Sequence, residues 1–539
     1  MERRTIALLG TLALACGGDD TSADTEGGAD TRADTGPSTA GGSDTAGDDG
    51  PSEPPPPLEA ACESPEPPTL TAAVEVGSAD ELRAAVAAGG EIRLTADITA
   101  DAPFDVGAPV VIDGAGFAIS GGGTTHLFVS EAASITLIDM TLRDAVNQVS
   151  DDEHFSRRSG AAVMMRGVGQ GRLEVFGVTF ENNEIGETGP GDLRGGALYA
   201  FAVPDVLIVD SSFVNNRGSN GGAIGGLGSS YRIINTSFQD NVTNGPGGPG
   251  ALEGRGGAIS LDAVSQNEQT AYFEVCGSYF ENNVAKHAGG AIAVVPHQWQ
   301  GGTFIVEKST FVNNRTTEGS GGAIYLLDDE NYPMVRGANQ SRIANSYFEG
   351  NETLGGGGGL WFQTGSGSLQ LENDTFFANR TTAAQGMGGA VALLDGPTAI
   401  THCTFAENHA QFHGGGIQAT GDATVTVTNS LFHDNTSDRD GGWAWFHANR
   451  ELQDGGGNMQ HLDPALEIDT NSNLPVTANT TMADAMPEAP ADNGGPTKTM
   501  ALPDGSAAID VGVAAETAED QRGEPRRGTP DAGAYEVQE

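Results

Sequence analysis

The chain has 539 residues, 79 of them Gly and only 6% aromatic, and a formal net charge of −47. Gly at this level without a three-residue period excludes collagen and implies many tight turns. The acidic excess repels nucleic acid and anionic lipid, which argues against a DNA- or RNA-binding role. It suits solubility in a salty extracellular medium and would attract cations, with Ca²⁺ a candidate guest and no other cofactor indicated.

The N-terminus reads "MERRTIALLGTLALAC": Arg3 and Arg4, an apolar run from Thr5 to Ala15, then Cys16. A short basic region before an apolar run too short to span a bilayer is the pattern of an export signal, here residues 1–15. Ala13-Leu14-Ala15-Cys16 resembles a bacterial lipobox, although Ala13 stands where that motif usually has Leu. The resemblance implies cleavage before Cys16 and lipid on its thiol. The membrane is then a partner through a lipid anchor, and the exported protein resides at the outer membrane or cell surface. A lipidated, acidic, disordered linker is expected over residues 16–70. Its stretch 17–60 holds eleven acids against one base, Arg32. Such a segment cannot bury a core, and its like charges extend it into a flexible stalk.

Ser78-x-x-Glu81 is a capping box, and Leu82, Ala85 and Val86 form an apolar stripe that ends at Gly89-Gly90. This predicts an amphipathic helix over 78–89, placed to cap one end of a core. "PVVIDGAGFAISG" from Pro109 and "ITLIDMTLRDA" from Ile135 follow as early strands.

Nine segments then carry Phe-x-x-Asn: Phe180/Asn183, Phe213/Asn216, Phe238/Asn241, Phe280/Asn283, Phe311/Asn314, Phe348/Asn351, Phe376/Asn379, Phe405/Asn408 and Phe432/Asn435. Each is followed by a polar stretch and a Gly-Gly-Ala-Ile-like motif, such as Gly321-Gly322-Ala323-Ile324; a degenerate copy begins at Gly160. Fixed motifs at variable spacing, here 25 to 42 residues, indicate a solenoid with insertions in its loops. After the glycines, Ile324 and Leu326 face one way, Ala323 and Tyr325 the other. Before the Phe, Leu369 and Leu371 face in, Gln370 and Glu372 out. Each unit therefore gives at least two short strands. None can fold alone, but stacked in register each strand pairs with its copies at about 4.8 Å. The asparagines read as a structural turn ladder: left-handed backbone, with each amide donating to one neighbour and accepting from the other. Asn-x-Ser/Thr matches such as Asn314-Arg315-Thr316 then arise by coincidence. The Gly-Gly pair supplies the sharp corner.

The Phe-x-x-Asn and Gly-Gly-Ala-Ile pair resembles the repeat of polymorphic outer-membrane proteins and of right-handed parallel β-helices of the pectin-lyase-like class. "SADELRAAVAAGGEIRLTADIT" from Ser78 also resembles the start of such helices. "PTKTMALPDGSAAIDVG" from Pro496, "DQRGEPR" from Asp520 and "DAGAYE" from Asp531 resemble the choice-of-anchor Q domain, which implies closure of the helix and surface anchoring. The expected fold is all-β: a single-stranded right-handed parallel β-helix over 71–455, with repeats over about 160–450, and a closing segment over 456–539.

Without Cys16, three cysteines remain, and none has zinc-site spacing. Cys276 and Cys403 lie four repeats apart, about 19 Å along the axis, beyond the Cα separation of about 7 Å that a disulfide allows. They are expected not to pair, and each to be a small buried core residue. The class includes carbohydrate-active enzymes, so the outer faces need inspection. The residue after each Ile/Leu of the glycine motif gives the file Tyr199, Gly225, Ser260, Ala293, Tyr325, Trp361, Ala392, Gln418, Trp445. Tyr325 and Trp361 become neighbours, a flat platform on which a sugar ring can stack. Asp328 and Asp395 would lie two coils apart, about 10 Å by strand spacing. That approaches the carboxyl separation of inverting glycosidases, about 6.5–9.5 Å. They are the candidate catalytic pair, in a chain whose 73 acids make chance alignments common. No Gly-His-Gly polygalacturonase signature, phosphate loop or metal-ligand pattern stands out. The expected role is a lipid-tethered surface protein presenting an extended face to glycan, extracellular matrix or another cell. A polysaccharide lyase or glycoside hydrolase on the same fold and a purely structural surface component are the alternatives.

Overall fold

The computed structural model describes residues 61–538, apart from 148–154, 168–169, 186–192, 244, 246–253, 263–270, 296–301, 329–339, 365–366, 439–445 and 463–472. The export signal, Cys16 and stretch 17–60 lie outside the described residues. Residues 58–539 form one compact unit.

The helix α1 spans Ala79–Ala88. Ser78 Oγ accepts from the Glu81 amide, and the Glu81 carboxylate accepts from the Gly77 amide, so the capping box closes one residue further out than the motif implies. Gly89, at φ 80°, ends the helix. Leu82 and Val86 are fully buried in the main core, which places α1 over its N-terminal end.

From there the chain winds as a right-handed parallel β-helix with sheets of 26, 11 and 10 strands. One coil illustrates the unit. Thr303–Glu307 and Thr310–Val312 lie in the first sheet, Arg315–Thr316 in the third, and Ile324–Asp328 in the second. There are thus four short strands in this unit, in keeping with the expected minimum of two. The run before Phe311 breaks at Lys308, φ 50°, and the two-residue strand after Asn314 is too short to show a hydrophobic period.

The core follows from register. Phe280 pairs with Phe311 and Phe311 with Phe348 across the coils. From Phe180 to Phe432 the rings stack with centroids 4.4–5.1 Å apart, and each of these Phe side chains is fully buried. Ile292, Ile324, Leu360 and Val391 form a parallel aliphatic file on the second sheet. Ala323, expected outside with Tyr325, is buried at the corner.

The asparagine ladder is continuous from Asn183 to Asn435. In each step Asn Nδ2 donates to the next Asn Oδ1 and to a carbonyl one coil back. It begins with Asn183 to Asn216 at 3.0 Å, Asn216 to Asn241 at 3.0 Å and Asn241 to Asn283 at 3.0 Å. In mid-shaft, Asn314 Nδ2 reaches Asn351 Oδ1 at 3.0 Å and Phe280 O at 2.9 Å. Its own Oδ1 accepts from the Asn283 amide and Nδ2. The last steps run from Asn351 to Asn379 at 2.8 Å, Asn379 to Asn408 at 3.0 Å and Asn408 to Asn435 at 2.9 Å.

The expected left-handed backbone of these asparagines is corrected by the structure, since no ladder residue has positive φ. That conformation falls on the preceding residue. Asn182 stands before Asn183, Asn215 before Asn216, Asp240 before Asn241 and Asn282 before Asn283, at φ 54–56°. Asn313 precedes Asn314, Ala378 precedes Asn379 and Glu407 precedes Asn408, at φ 53–55°. Gly350 precedes Asn351 at φ 63°, and Asp434 precedes Asn435 at φ 50°. The turn needs its positive φ there, and the next residue, back at negative φ, turns its amide inward along the axis. Asn241, Asn314, Asn351, Asn379 and Asn435 are fully buried, as are Asn216 and Asn408. The Asn-x-Ser/Thr matches at the first five therefore offer no accessible glycan acceptor.

A second file lies two residues before each Phe. Ser278 N–H donates to Ser309 Oγ, Ser309 N–H to Ser346 Oγ, and Ser346 N–H to Asp374 Oδ1. Cys403 occupies this file, buried, with Sγ 3.5 Å from Thr401 O. Cys403 and Cys276 do not pair, as expected. Cys276, however, is not a core residue: it ends the strand Tyr272–Cys276 on the outer side, in register with Ile234 and Glu307, and is bonded to Cys62.

That bond fixes residues 61–72, of which 61–70 were expected to belong to the linker, against the outer face of the first sheet. Asn235 Oδ1 accepts from Cys62 N–H, its Nδ2 donates to Cys62 O and Ser64 Oγ, and Glu91 accepts from the Thr71 and Ala72 amides. Cys62 and Leu70 cover an outward apolar stripe that includes Ile138, Phe176, Val209 and Ile234. The closing segment covers the same sheet lower down. Gln521 reaches Thr375 Oγ1, Ser346 O, Thr497 Oγ1 and Lys498 O, and Asn429 holds Val513. Arg526 and Glu536, both nearly fully buried, pair at 3.0 Å.

Candidate ligand-binding surface

The second sheet presents its outward file in strict register. Tyr199 pairs with Gly225, Gly225 with Ser260, Ser260 with Ala293, Ala293 with Tyr325, Tyr325 with Trp361, Trp361 with Ala392, and Ala392 with Gln418. Trp445 lies outside the described residues. Tyr199, Ser260, Ala293, Ala392 and Gln418 are buried despite their outward direction, whereas Tyr325 and Trp361 are only partly so. Their rings stack 4.3 Å apart, 4° from parallel. Strand pairing sets this spacing, because two aromatics at one register position on adjacent coils have little choice but to lie face on face.

The surroundings are polar at one side. Two residues beyond Trp361, Gln363 pairs with Leu327, and its Nε2 donates to Asp395 Oδ2 at 3.3 Å. Asp395 Oδ1 also accepts from the Asp422 amide at 3.4 Å. The Asp395 carboxylate therefore ties successive turns together, with both oxygens engaged. Asp328 pairs with Thr364 through the backbone; its side chain lies outside the described residues. The result is a stacked aromatic pair two coils high with an amide–carboxylate pair beside it, not the flat platform expected, because each ring covers one face of the other. What remains for a ligand ring is the outer face of either aromatic, in register with Ala293 and Ala392, with polar groups to meet that ring's rim.

Strongly perturbed groups sit elsewhere and serve the interior. Burial pushes the Asp374 carboxyl and the Cys403 thiol up. Burial, with Arg526 adding, lowers His402 to about 3, and burial lowers His447 likewise to about 3. His447 is held neutral, and Asn435 Nδ2 can only donate, so His447 Nδ1 accepts at 3.2 Å and terminates the asparagine ladder. Among the described residues no group of three or more His, Cys, Asp or Glu side chains could hold a metal ion. A groove of about 540 Å³ lies on the first sheet, where Gln370, Glu372, Thr401 and Thr428 face Ala514–Thr517 of the closing segment. It has no aromatic lining and does not adjoin the Tyr325–Trp361 patch.

Sequence reasoning brought Tyr325 and Trp361 together correctly and overlooked the hydroxyl file, although its signal was present. Ser211, Thr236, Ser278, Ser309, Ser346 and Ser430 each stand two residues before a repeat Phe. The His447 cap and the Gln521 clamp carry no comparable pattern. No protein-family model and no curated protein matches this chain.

Proposed function

We propose that this is a cell-surface lipoprotein, tethered through lipid on Cys16 and an acidic stalk, whose β-helix presents the Tyr325–Trp361 patch to glycan on a matrix or another cell. The single observation that carries the reading is the parallel, partly exposed stack of those two rings on a file whose other described members are buried. The outer face of either ring, next to the small Ala293 or Ala392 in register, offers the apolar contact that pyranose C–H faces prefer. A long rigid body in many copies turns weak contacts into avidity. The Cys62–Cys276 disulfide supports export, since such bonds persist in oxidising compartments. The net charge of −47 suits life outside the cell. The resemblances to polymorphic outer-membrane repeats, to pectin-lyase-like helices and to the choice-of-anchor Q segment point the same way. A glycan array combined with reducing-sugar and unsaturated-product assays tests the reading. Binding without turnover is the expected result. Turnover that disappears in Asp328→Asn or Asp395→Asn, or an array without any bound glycan, would overturn it.

A further inference from the structure

The disulfide joins residues 214 apart in sequence, with Cα atoms 6.1 Å apart. The closed loop contains α1 and every coil down to the one that ends its first strand at Cys276. Cys62 is additionally held by Asn235, and Ser64 Oγ donates to Asp210. The chain preceding Cys62 therefore joins the shaft beside Cys276 and not at the α1 end. Tyr325 lies only one coil further on, because Ala293 of the Cys276 coil pairs directly with it.

We infer that the Cys62–Cys276 bond is a tension bypass: pull arriving through residues 16–61 crosses from sulfur to sulfur and leaves residues 63–275 unloaded. Hydrogen bonds and apolar contacts of the strap formed by residues 61–72 yield under a sustained pull, whereas the covalent bond does not. Without the bond, tension would enter at Val74–Val76, the first strand, and peel coils from the α1 end one at a time, as a solenoid with only nearest-neighbour contacts permits. With it, load between stalk and aromatic patch crosses adjacent coils only. The adhesive use of this path rests on the proposed function; the path itself rests on the disulfide.

Single-molecule pulling on the full chain tests it, with handles in the 17–60 stretch and after Glu539. Complete unravelling of the Cys62→Ser/Cys276→Ser variant should exceed that of the wild type by about 70–77 nm, which is 214 residues at roughly 3.3–3.6 Å each. Cys403→Ser should match the wild type. Equal lengths for wild type and double variant, or a difference that Cys403→Ser removes, overturns the inference. Non-reducing peptide mapping gives an answer independent of how the variants fold. One linked pair of peptides holding Cys62 and Cys276 is expected, and free thiols at both positions sink the idea. A failed glycan titration would leave the pulling difference intact, so the two readings fail separately.

Discussion

Replacing Asn314 by Ala removes the middle of the ladder without touching the surface. Four hydrogen bonds go: Nδ2 to Asn351 Oδ1 and to Phe280 O, and those received by Oδ1 from Asn283 N–H and Nδ2. The Asn283 amide then faces a methyl group and Phe280 O loses its side-chain donor, both inside a dry core. At about 1–3 kcal/mol for each buried group deprived of its partner, the expected loss is about 2–6 kcal/mol. Urea unfolding measures it. Hydrogen exchange should place the damage at Asn283 and its neighbouring coils, since each coil contacts only the next. Glu352→Ala, which removes a half-exposed pair with Arg380, should cost under about 1 kcal/mol. If Asn314→Ala costs no more than Glu352→Ala, the ladder does not hold the coils in register and the reasoning fails.

Acid should weaken the fold. His402 and His447 sit near 3 when folded and near 6.5 when unfolded. Between those values the unfolded chain binds more protons, so their contribution is complete above about pH 6.5 and is lost as pH falls toward 3. The slope is about 1.4 kcal/mol per pH unit for each group. The urea midpoint should drop between pH 7 and pH 5, and less so in His447→Gln; an equal drop would remove His447 from the account. Asp374 has the opposite sign, because burial raises its carboxyl and ionisation costs stability as pH rises. Asp374→Ser, which restores the hydroxyl typical of its file, should raise the midpoint at pH 7. At the corner, a Cβ on Gly289 would lie 2.1 Å from Ile292 O at φ 61°, whereas one on Gly505, at φ 79°, meets nothing within 4 Å. Gly505→Ala should cost about 1–2 kcal/mol for the left-handed backbone alone, and Gly289→Ala clearly more; equal costs would refute the corner argument.

The shaft was legible because stacking in register converts sequence period into space: Phe280, Phe311 and Phe348 could only become a file. The same logic joined Tyr325 to Trp361. The turn conformation was assigned one residue late, since Asn at both Asn313 and Asn314 satisfies left-handed propensity and the repeat does not say which amide points inward. Asn241 and Asn408 carried a usable hint, because Asp240 and Glu407 before them are polar turn residues as well. The strap was hidden for a physical reason. "CESPEPPTL" from Cys62 is acidic and Pro-rich, with the composition of a linker, and its docking depends on a stripe drawn from four successive coils far from it in sequence. Ile138, Phe176, Val209 and Ile234 at outward positions were the available hint that something covers them. Asp328 and Asp395 illustrate the converse: spacing aligned them, yet Asp395 spends its oxygens on Gln363 and the Asp422 amide.

The most direct test of the account is calorimetric titration of the wild-type protein and Trp361→Ala with cello-, chito- and manno-oligosaccharides. Saturable binding to at least one series is expected, weakened by at least about 1 kcal/mol, roughly fivefold, in the variant, with its far-ultraviolet circular dichroism unchanged. Binding of equal strength in the two proteins, or none to any series, would contradict it.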